Sequence, residues 1–220
     1  MICIKKTSNS SGMYSMTRST LLLAGGLGTR LNGKEKALLP FGDGVLIENS
    51  LRVLDDVSDE VIISLRDESQ IQHLSSYIKG RKVVFDSIRN AGPLAGILEG
   101  FREAKGEYVF VVACDMPFLN TDFINSLFEM AEGHDAVIPI GPNGKKEPLH
   151  SVYHRRFLLP LIKECIDAGD RFVLAPVLKL NDVVYLDKNE NKSESGESRY
   201  FTNINYPEDM DMLNNSGDVQ

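Results

Sequence analysis

Short apolar runs alternate with amphipathic stretches along this chain. Leu21 to Ala24, Val61 to Ser64, Lys82 to Phe85, Tyr108 to Ala113 and Ala136 to Ile140 read as buried strands, because each is a brief and nearly unbroken apolar run. Between them apolar residues recur at helical spacing. Ile47, Leu51 and Leu54 predict a helix over 46–55, and Ile71, Leu74 and Ile78 one over 69–79. Leu94, Ile97, Leu98 and Phe101 predict one over 93–104, with Pro93 at its start. Another is predicted over 121–131. This alternation predicts an α/β fold, a doubly wound and mostly parallel sheet in a three-layer α/β/α arrangement.

Past residue 140 the pattern is less regular. Gly141 to Lys146 is a polar turn, Leu149 to Tyr153 a strand, and Phe157 to Ala168 a helix with Pro160 in its first turn. Phe172 to Leu180 reads as a helix interrupted by Pro176, and Val183 to Leu186 as a strand. Residues 188–199 are poor in apolar side chains and read as a mobile loop. Phe201 to Asn205 reads as a strand leading to Pro207 and a terminal helix. At the other end, residues 1–18 are polar and Ser-rich, a disordered extension without the apolar core of a signal peptide. With no repeat or linker in view, residues 19–216 are expected to form a single domain.

Composition narrows the function mainly by exclusion. A formal net charge of -7 argues against a nucleic-acid binder, which carries a basic face, but leaves room for a local phosphate pocket. No apolar run approaches the roughly 20 residues of a membrane span. Cys3, Cys114 and Cys165 are too scattered for a disulfide framework or metal site, which points to a cytoplasmic setting.

The candidate chemistry lies where strands end, the edge at which doubly wound sheets hold ligands. Leu23-Ala24-Gly25-Gly26 turns off the first strand, Gly28 follows, and Arg30 and Lys36 supply positive charge nearby. Glycines there let the backbone approach a ligand, and their amides can form an anion site. The stretch is neither a P-loop nor a full dinucleotide fingerprint, since Leu31 stands where the last small residue belongs. A tight turn beside two solvated cations would look the same. Ser64, Asp86 and Asp115 end the next three strands. Asp115 can hold Mg²⁺, which takes one or two protein carboxylates and completes its shell with water and phosphate; equally, it could be an ordinary loop aspartate. Asp86 could accept hydrogen bonds from a nucleotide or cap its own loop. Asn203 and Asn205, on one face of the expected strand, could hold a sugar hydroxyl, a phosphate or metal-bound water, or simply end the strand. His73, His134, His150 and His154 show no metal spacing and read as surface or satisfied histidines.

Taken together, LAGGLGTR with Lys36, DEVIISLR, Asp86, AGPLAGILEGF, VACDMPFL, EPLHSVYHRRF, AGDRF and FTNINYPEDM resemble the molybdenum cofactor guanylyltransferase family. The resemblance implies a Rossmann-like nucleotidyltransferase fold and transfer of GMP from GTP to the terminal phosphate of molybdopterin, with release of pyrophosphate. It implies a GTP site on Leu23, Ala24, Gly25 and Gly26, with Lys36 on the phosphates. Ser64 and Asp86 would contact the nucleotide, Asp115 would bind it through Mg²⁺, and Asn203 and Asn205 would stand near the reacting groups. Arg30, Lys36 and Asp115 would carry catalysis, by alignment and charge neutralisation rather than by a protein nucleophile. Lys145, Lys146 and Arg171 are candidate anion contacts for the pterin. Implied partners are GTP, molybdopterin, and the proteins that deliver the cofactor or accept it. Two positions depart from the family pattern. Glu35 stands where aspartate usually precedes the lysine, and Ser64 where relatives often place asparagine, which bears on base selection. Alternatives are a cytidylyltransferase on the same cofactor, a nucleotidyltransferase on another phosphorylated metabolite, a nucleotide-binding delivery module without turnover, and a Rossmann-like oxidoreductase.

Overall fold

Among the described residues, seven strands form one central sheet. The computed structural model describes residues 17–26, 35–88, 91–187 and 200–204, so the expectations for Gly28, Arg30, Asn205, the first 16 residues, the 188–199 segment and the terminal helix lie outside the described residues. The strands are β1 (Arg18–Leu23), β4 (Glu60–Leu65), β5 (Lys82–Phe85), β6 (Tyr108–Ala113), β7 (Ala136–Ile140), β8 (His150–His154) and β9 (Val183–Asp187). A two-stranded hairpin, β2 (Pro40–Phe41) and β3 (Gly44–Val45), stands apart from the sheet. The α-helices among the described residues are α1 (Leu46–Val57), α2 (Ile71–Ile78), α3 (Pro93–Glu103), α4 (Thr121–Ala131), α5 (Arg155–Asp167) and α6 (Leu174–Val177).

The order across the sheet is β5-β4-β1-β6-β8-β7-β9. All neighbours are parallel except β8, which runs antiparallel to both β6 and β7. Residues alternate between the two faces, as a strand's period of two requires. Leu21, Ile62, Val109, Val111 and Ile138 pack on one side with Leu94, Leu98 and Phe101 of α3 and Leu158 and Ile162 of α5. Leu22, Ile63, Phe110, Val112 and Val137 pack on the other with Leu51 and Leu54 of α1, Leu74 of α2 and Ile124 and Phe128 of α4. Both faces are covered, which is why the strands read as continuous apolar runs.

This layering follows from the winding. From β1 the chain moves outward through β4 to β5, with α1 and α2 on one face. It then returns over the opposite face through α3 to β6, on the other side of β1. The order therefore reverses between β1 and β6, and a crevice opens there at the carboxyl ends of the strands. The register levels those ends: Leu23 pairs with Ser64 on one side and with Ala113 on the other, and Leu65 pairs with Phe85.

Several elements differ from expectation at their ends. Arg18 belongs to β1 rather than to the extension, because its N–H reaches the Asp59 carboxylate and its guanidinium lies over Phe128. α5 starts at Arg155, directly after β8, so Pro160 sits inside the helix and not in its first turn. The expected 172–180 helix shrinks to α6. Thr202 to Ile204 lie outside any strand. Ile204 is buried, and its N–H donates to the Asp115 carbonyl at 2.9 Å.

Candidate active site

The crevice at the reversal point is a cleft of about 800 Å³, within the range of roughly 300–1,000 Å³ usual for small-molecule sites. Leu23, Ala24, Gly25 and Gly26 line it from the end of β1, Ser64 from β4, Asp86 from β5 and Asp115 from β6, with Lys36 facing them. The strand-end residues singled out in the sequence thus share one cavity.

Two cross-strand bonds anchor its floor. The Ala24 N–H donates to the Ser64 carbonyl at 2.9 Å, and the Cys114 N–H to the Leu23 carbonyl at 3.0 Å. Gly25 crosses so close to the β4 end that a Cβ there would lie 2.8 Å from the Arg66 backbone nitrogen, whereas a Cβ on Gly26 would meet nothing within 4 Å. Gly25 is therefore required by packing, and Gly26 leaves space on the cleft side. α3 aims its N-terminus at the same cavity: Gly92, Pro93 and Gly96 all line it. Gly92 holds the turn into α3 at φ 60°, ψ -150°, a conformation that only glycine adopts at ease. A helix N-terminus so placed favours negative charge.

Lys36 starts a short 3₁₀ turn, Lys36–Leu38, and its Nζ donates to Asp115 Oδ2 at 2.9 Å. The proposed phosphate ligand and the proposed metal ligand thus lie against each other. Both side chains are about one-fifth exposed, open to the cleft. Asp86 lies at the other end of the cavity. Burial pushes its carboxyl up to about 6, Arg66 opposes that rise, and Asp67 and Glu99 add to it. Asp67 is itself held down at about 2 by the Ser69 hydroxyl and the Arg66 guanidinium. Among the described lining residues, Lys36 and Arg66 face Asp67, Glu68, Asp86 and Asp115, so fixed carboxylates outnumber fixed cations.

Asn203 is exposed, and its neighbour Ile204 is tied to the Asp115 carbonyl, which brings the asparagine beside the end of β6. Asn203 lies outside any strand, and its expected partner Asn205 lies outside the described residues. Lys145 and Lys146 do not line the cleft; Lys146 Nζ lies 4.3 Å from the centre of the Tyr185 ring. Arg171 is exposed, and its carbonyl would be 3.7 Å from a Cβ on Gly92. His73 is exposed and His134 pairs with Asp182, as surface histidines should. His150 departs from that reading. It is fully buried among Phe110, Phe123 and Phe201, and neither ring nitrogen has a hydrogen-bond partner among the described residues. Burial holds its imidazole neutral, down at about 3.

Sequence reasoning passed over Arg66 and Gln70. Arg66 lies 3.5 Å from Glu35 and 2.9 Å from Asp67. Gln70 is fully buried, accepts from the Arg66 N–H at 2.6 Å, and donates to Glu35 Oε2 at 2.5 Å and to the Ala24 carbonyl at 3.4 Å. Arg66 closes the DEVIISLR segment and Gln70 lies in none of the segments singled out; what marks both is their position just after a strand that ends at the cleft.

Residues 20–183 match the model of the MobA-like NTP transferase domain. The chain belongs to that family. It is a nucleotidyltransferase, and its mostly parallel, helix-flanked sheet is the nucleotidyltransferase fold. A probable molybdenum cofactor guanylyltransferase of Methanosarcina mazei is 42% identical over 214 residues, covering 95% of each chain. Its counterpart in Methanosarcina acetivorans is 41% identical over 203 residues, covering 90% of each. Among solved structures, molybdopterin-guanine dinucleotide biosynthesis protein A of Archaeoglobus fulgidus superposes with a TM-score of 0.77 at 28% identity. That match covers 92% of this chain and all of the other. The glycine turn at the end of β1 and the carboxylate just past β6 both lie inside the matched span.

Proposed function

We propose that this enzyme transfers GMP from GTP to the terminal phosphate of molybdenum-bearing molybdopterin, giving the guanine dinucleotide form of the cofactor and pyrophosphate. The observation that carries the reading is the convergence of the glycine turn, Lys36, Asp86 and Asp115 on one cleft. The names of the relatives at 42% and 41% identity support the choice of nucleotide and acceptor.

In this reading the triphosphate lies along the Ala24–Gly26 turn, where backbone amides and Lys36 bind it. Asp86 accepts hydrogen bonds from the base at the other end of the cavity, and Ser64 contributes to the floor between them. A phosphate oxygen of the acceptor forms a bond to the α-phosphorus as the bond from that phosphorus to the pyrophosphate oxygen breaks. An ionised phosphate monoester has no proton to lose, so the step requires alignment and charge neutralisation rather than a general base. Arg30, Lys36 and the amides of the turn supply the neutralisation from the protein. Asn203, held beside Asp115, and Asn205 orient the reacting groups.

The site fits Mg²⁺. Asp115 offers a hard carboxylate oxygen opening on the cleft, and no group of three or more His, Cys, Asp or Glu that could form a full protein cage occurs among the described residues. One carboxylate completed by phosphate and water is the usual Mg²⁺ arrangement. Among the described lining residues carboxylates outnumber cations, so an added cation beside the polyphosphate would ease its binding there. Bound there, Mg²⁺ would supply charge neutralisation to the phosphates.

The direct test is pyrophosphate release by the purified protein with Mg²⁺, molybdenum-bearing molybdopterin and each NTP in turn. Release with GTP alone is expected. Release with CTP alone would change the product to the cytosine dinucleotide, and NTP binding with no release would point to another acceptor or to a delivery module.

A further inference from the structure

Gln70 stands outside the chemistry just described, yet it joins three separated parts of the site. Its Oε1 accepts the Arg66 N–H from the end of β4. Its Nε2 donates both to Glu35, the residue before Lys36, and to the carbonyl of Ala24, the residue before Gly25. Ala24 and Glu35 are the chain positions from which the glycine turn departs and to which Lys36 is attached. One buried amide therefore ties both to the edge of the sheet.

The orientation of that amide is dictated chemically. An N–H faces one end of it, and a carboxylate and a carbonyl face the other. The flipped amide would set its NH₂ against the Arg66 N–H and its oxygen against two acceptors. Arg66 reinforces the arrangement, with its guanidinium 3.5 Å from the second Glu35 oxygen. Glu35 is thus bound through both carboxylate oxygens, and Lys36, the next residue, presents its ammonium to Asp115 at 2.9 Å. Gln70 does not line the cleft, so it acts only through these neighbours.

We propose that Gln70 is a positioning residue that clamps Ala24, where the glycine turn departs, together with Glu35, and so sets where Lys36 meets the triphosphate. The inference rests on the proposed role of Lys36 as a phosphate ligand. Partners that orient a ligating side chain from behind typically contribute about 10–100-fold to affinity or activity.

The variant Gln70→Ala isolates the effect. Calorimetric titration with GTP and Mg²⁺ should show affinity weakened about tenfold, while guanosine, which lacks the phosphates, binds within about twofold of the unaltered protein. A general loosening of the fold would weaken both ligands alike. Gln70→Glu, which cannot donate and sets a carboxylate against Glu35, should be worse than Gln70→Ala. Combining it with Glu35→Gln restores a donor opposite an acceptor at that contact and should recover part of the loss, since the Ala24 carbonyl still faces a carboxylate. Backbone hydrogen exchange without ligand supplies a readout independent of function: Gln70→Ala should speed exchange in Ala24–Gly26 and in Lys36–Leu39 but leave α4 unchanged. Equal losses for GTP and guanosine, or unchanged exchange at both segments, would overturn the proposal. Failure of the unaltered protein to bind GTP would instead overturn the proposed function, and the exchange comparison would still decide the role of Gln70.

Discussion

At the scale of single residues, Asp86 is where physical chemistry makes the sharpest demand. Its carboxyl is raised to about 6, chiefly by burial, with Arg66 partly offsetting the neighbouring carboxylates. A base with N–H donors is recognised by the ionised carboxylate, so GTP affinity should fall as pH drops through 6. Each further unit of protonation costs about tenfold, and the affinity at pH 5 should be about tenfold below that at pH 7. Calorimetry across pH 5–8 checks the midpoint, and Asp86→Asn should remove the pH dependence together with most of the affinity. The stability effect has the opposite sign. A carboxyl with a folded-state value above its ordinary 3.8 disfavours the fold as pH rises from about 4 to 6. Asp86→Asn should therefore raise the melting temperature at neutral pH while weakening GTP. Lys36 and Asp115 make the complementary pair of predictions. Both are partly exposed, so losing their ion pair should change stability by less than about 1 kcal/mol. Lys36→Ala should weaken GTP by about 10–100-fold, the value of a hydrogen bond from a charged donor. Asp115→Asn should lower kcat at least about 100-fold, like removal of an electrostatic stabiliser, with circular dichroism unchanged.

At the scale of elements, α3 sets the depth of the cleft. Gly96 brings the helix so close to β4 that a Cβ there would lie 2.2 Å from Ser64 Oγ and 3.2 Å from both Ser64 Cβ and Asp86 Oδ1. Alanine favours a helix interior over glycine by about 1 kcal/mol, but overpacking costs about 1–3 kcal/mol, and here the neighbours are a strand residue and a site carboxylate. Gly96→Ala should therefore lower the melting temperature and GTP affinity together. Ser64→Ala alone should be close to neutral, and the double variant should recover part of the stability, a coupling that thermal denaturation of all three measures directly. This contact also shows what the sequence could and could not convey. β5, β6, α4 and β7 begin and end where the apolar pattern places them, because strands covered on both faces and a helix capped by the Asn120 side chain carry their boundaries locally. The direction of β8 was not legible, since alternation is the same for parallel and antiparallel pairing. The hairpin of β2 and β3 was too short to show a period. α6 is brief, and Pro176 lies in its single turn. His150 is enclosed by Phe110, Phe123 and, from a distant segment, Phe201, contacts that only the fold brings together. Gln70 and Arg66 gained their meaning only when the fold brought Ala24 and Glu35 to them.

At the scale of the whole molecule, the cleft joins the two halves of the winding. Its walls come from β1, β4, β5, β6 and the start of α3, elements that pack on both faces of the sheet. A ligand bound there contacts the central strands rather than a peripheral loop, so its binding free energy should add to global stability. At a concentration 100 times its dissociation constant, a ligand that binds only the folded state contributes about 2.7 kcal/mol. For a chain of 220 residues, each kcal/mol corresponds to about 2–4 °C in melting temperature. GTP with Mg²⁺ should therefore raise the transition by about 5–10 °C. Electrostatics is also where the proposed Mg²⁺ can be tested. The molecule carries a formal charge of -7, and the described lining adds a local excess of carboxylates, so a bare triphosphate meets repulsion at both ranges. EDTA should therefore abolish most of the shift produced by GTP while leaving the ligand-free transition unchanged, as expected for a metal that arrives with its nucleotide and is not built into the fold. A GTP shift that survived EDTA would move the neutralising charge from Mg²⁺ to the protein, with Arg30 and Lys36 as its sources. A ligand-free transition lowered by EDTA would instead reveal a structural metal.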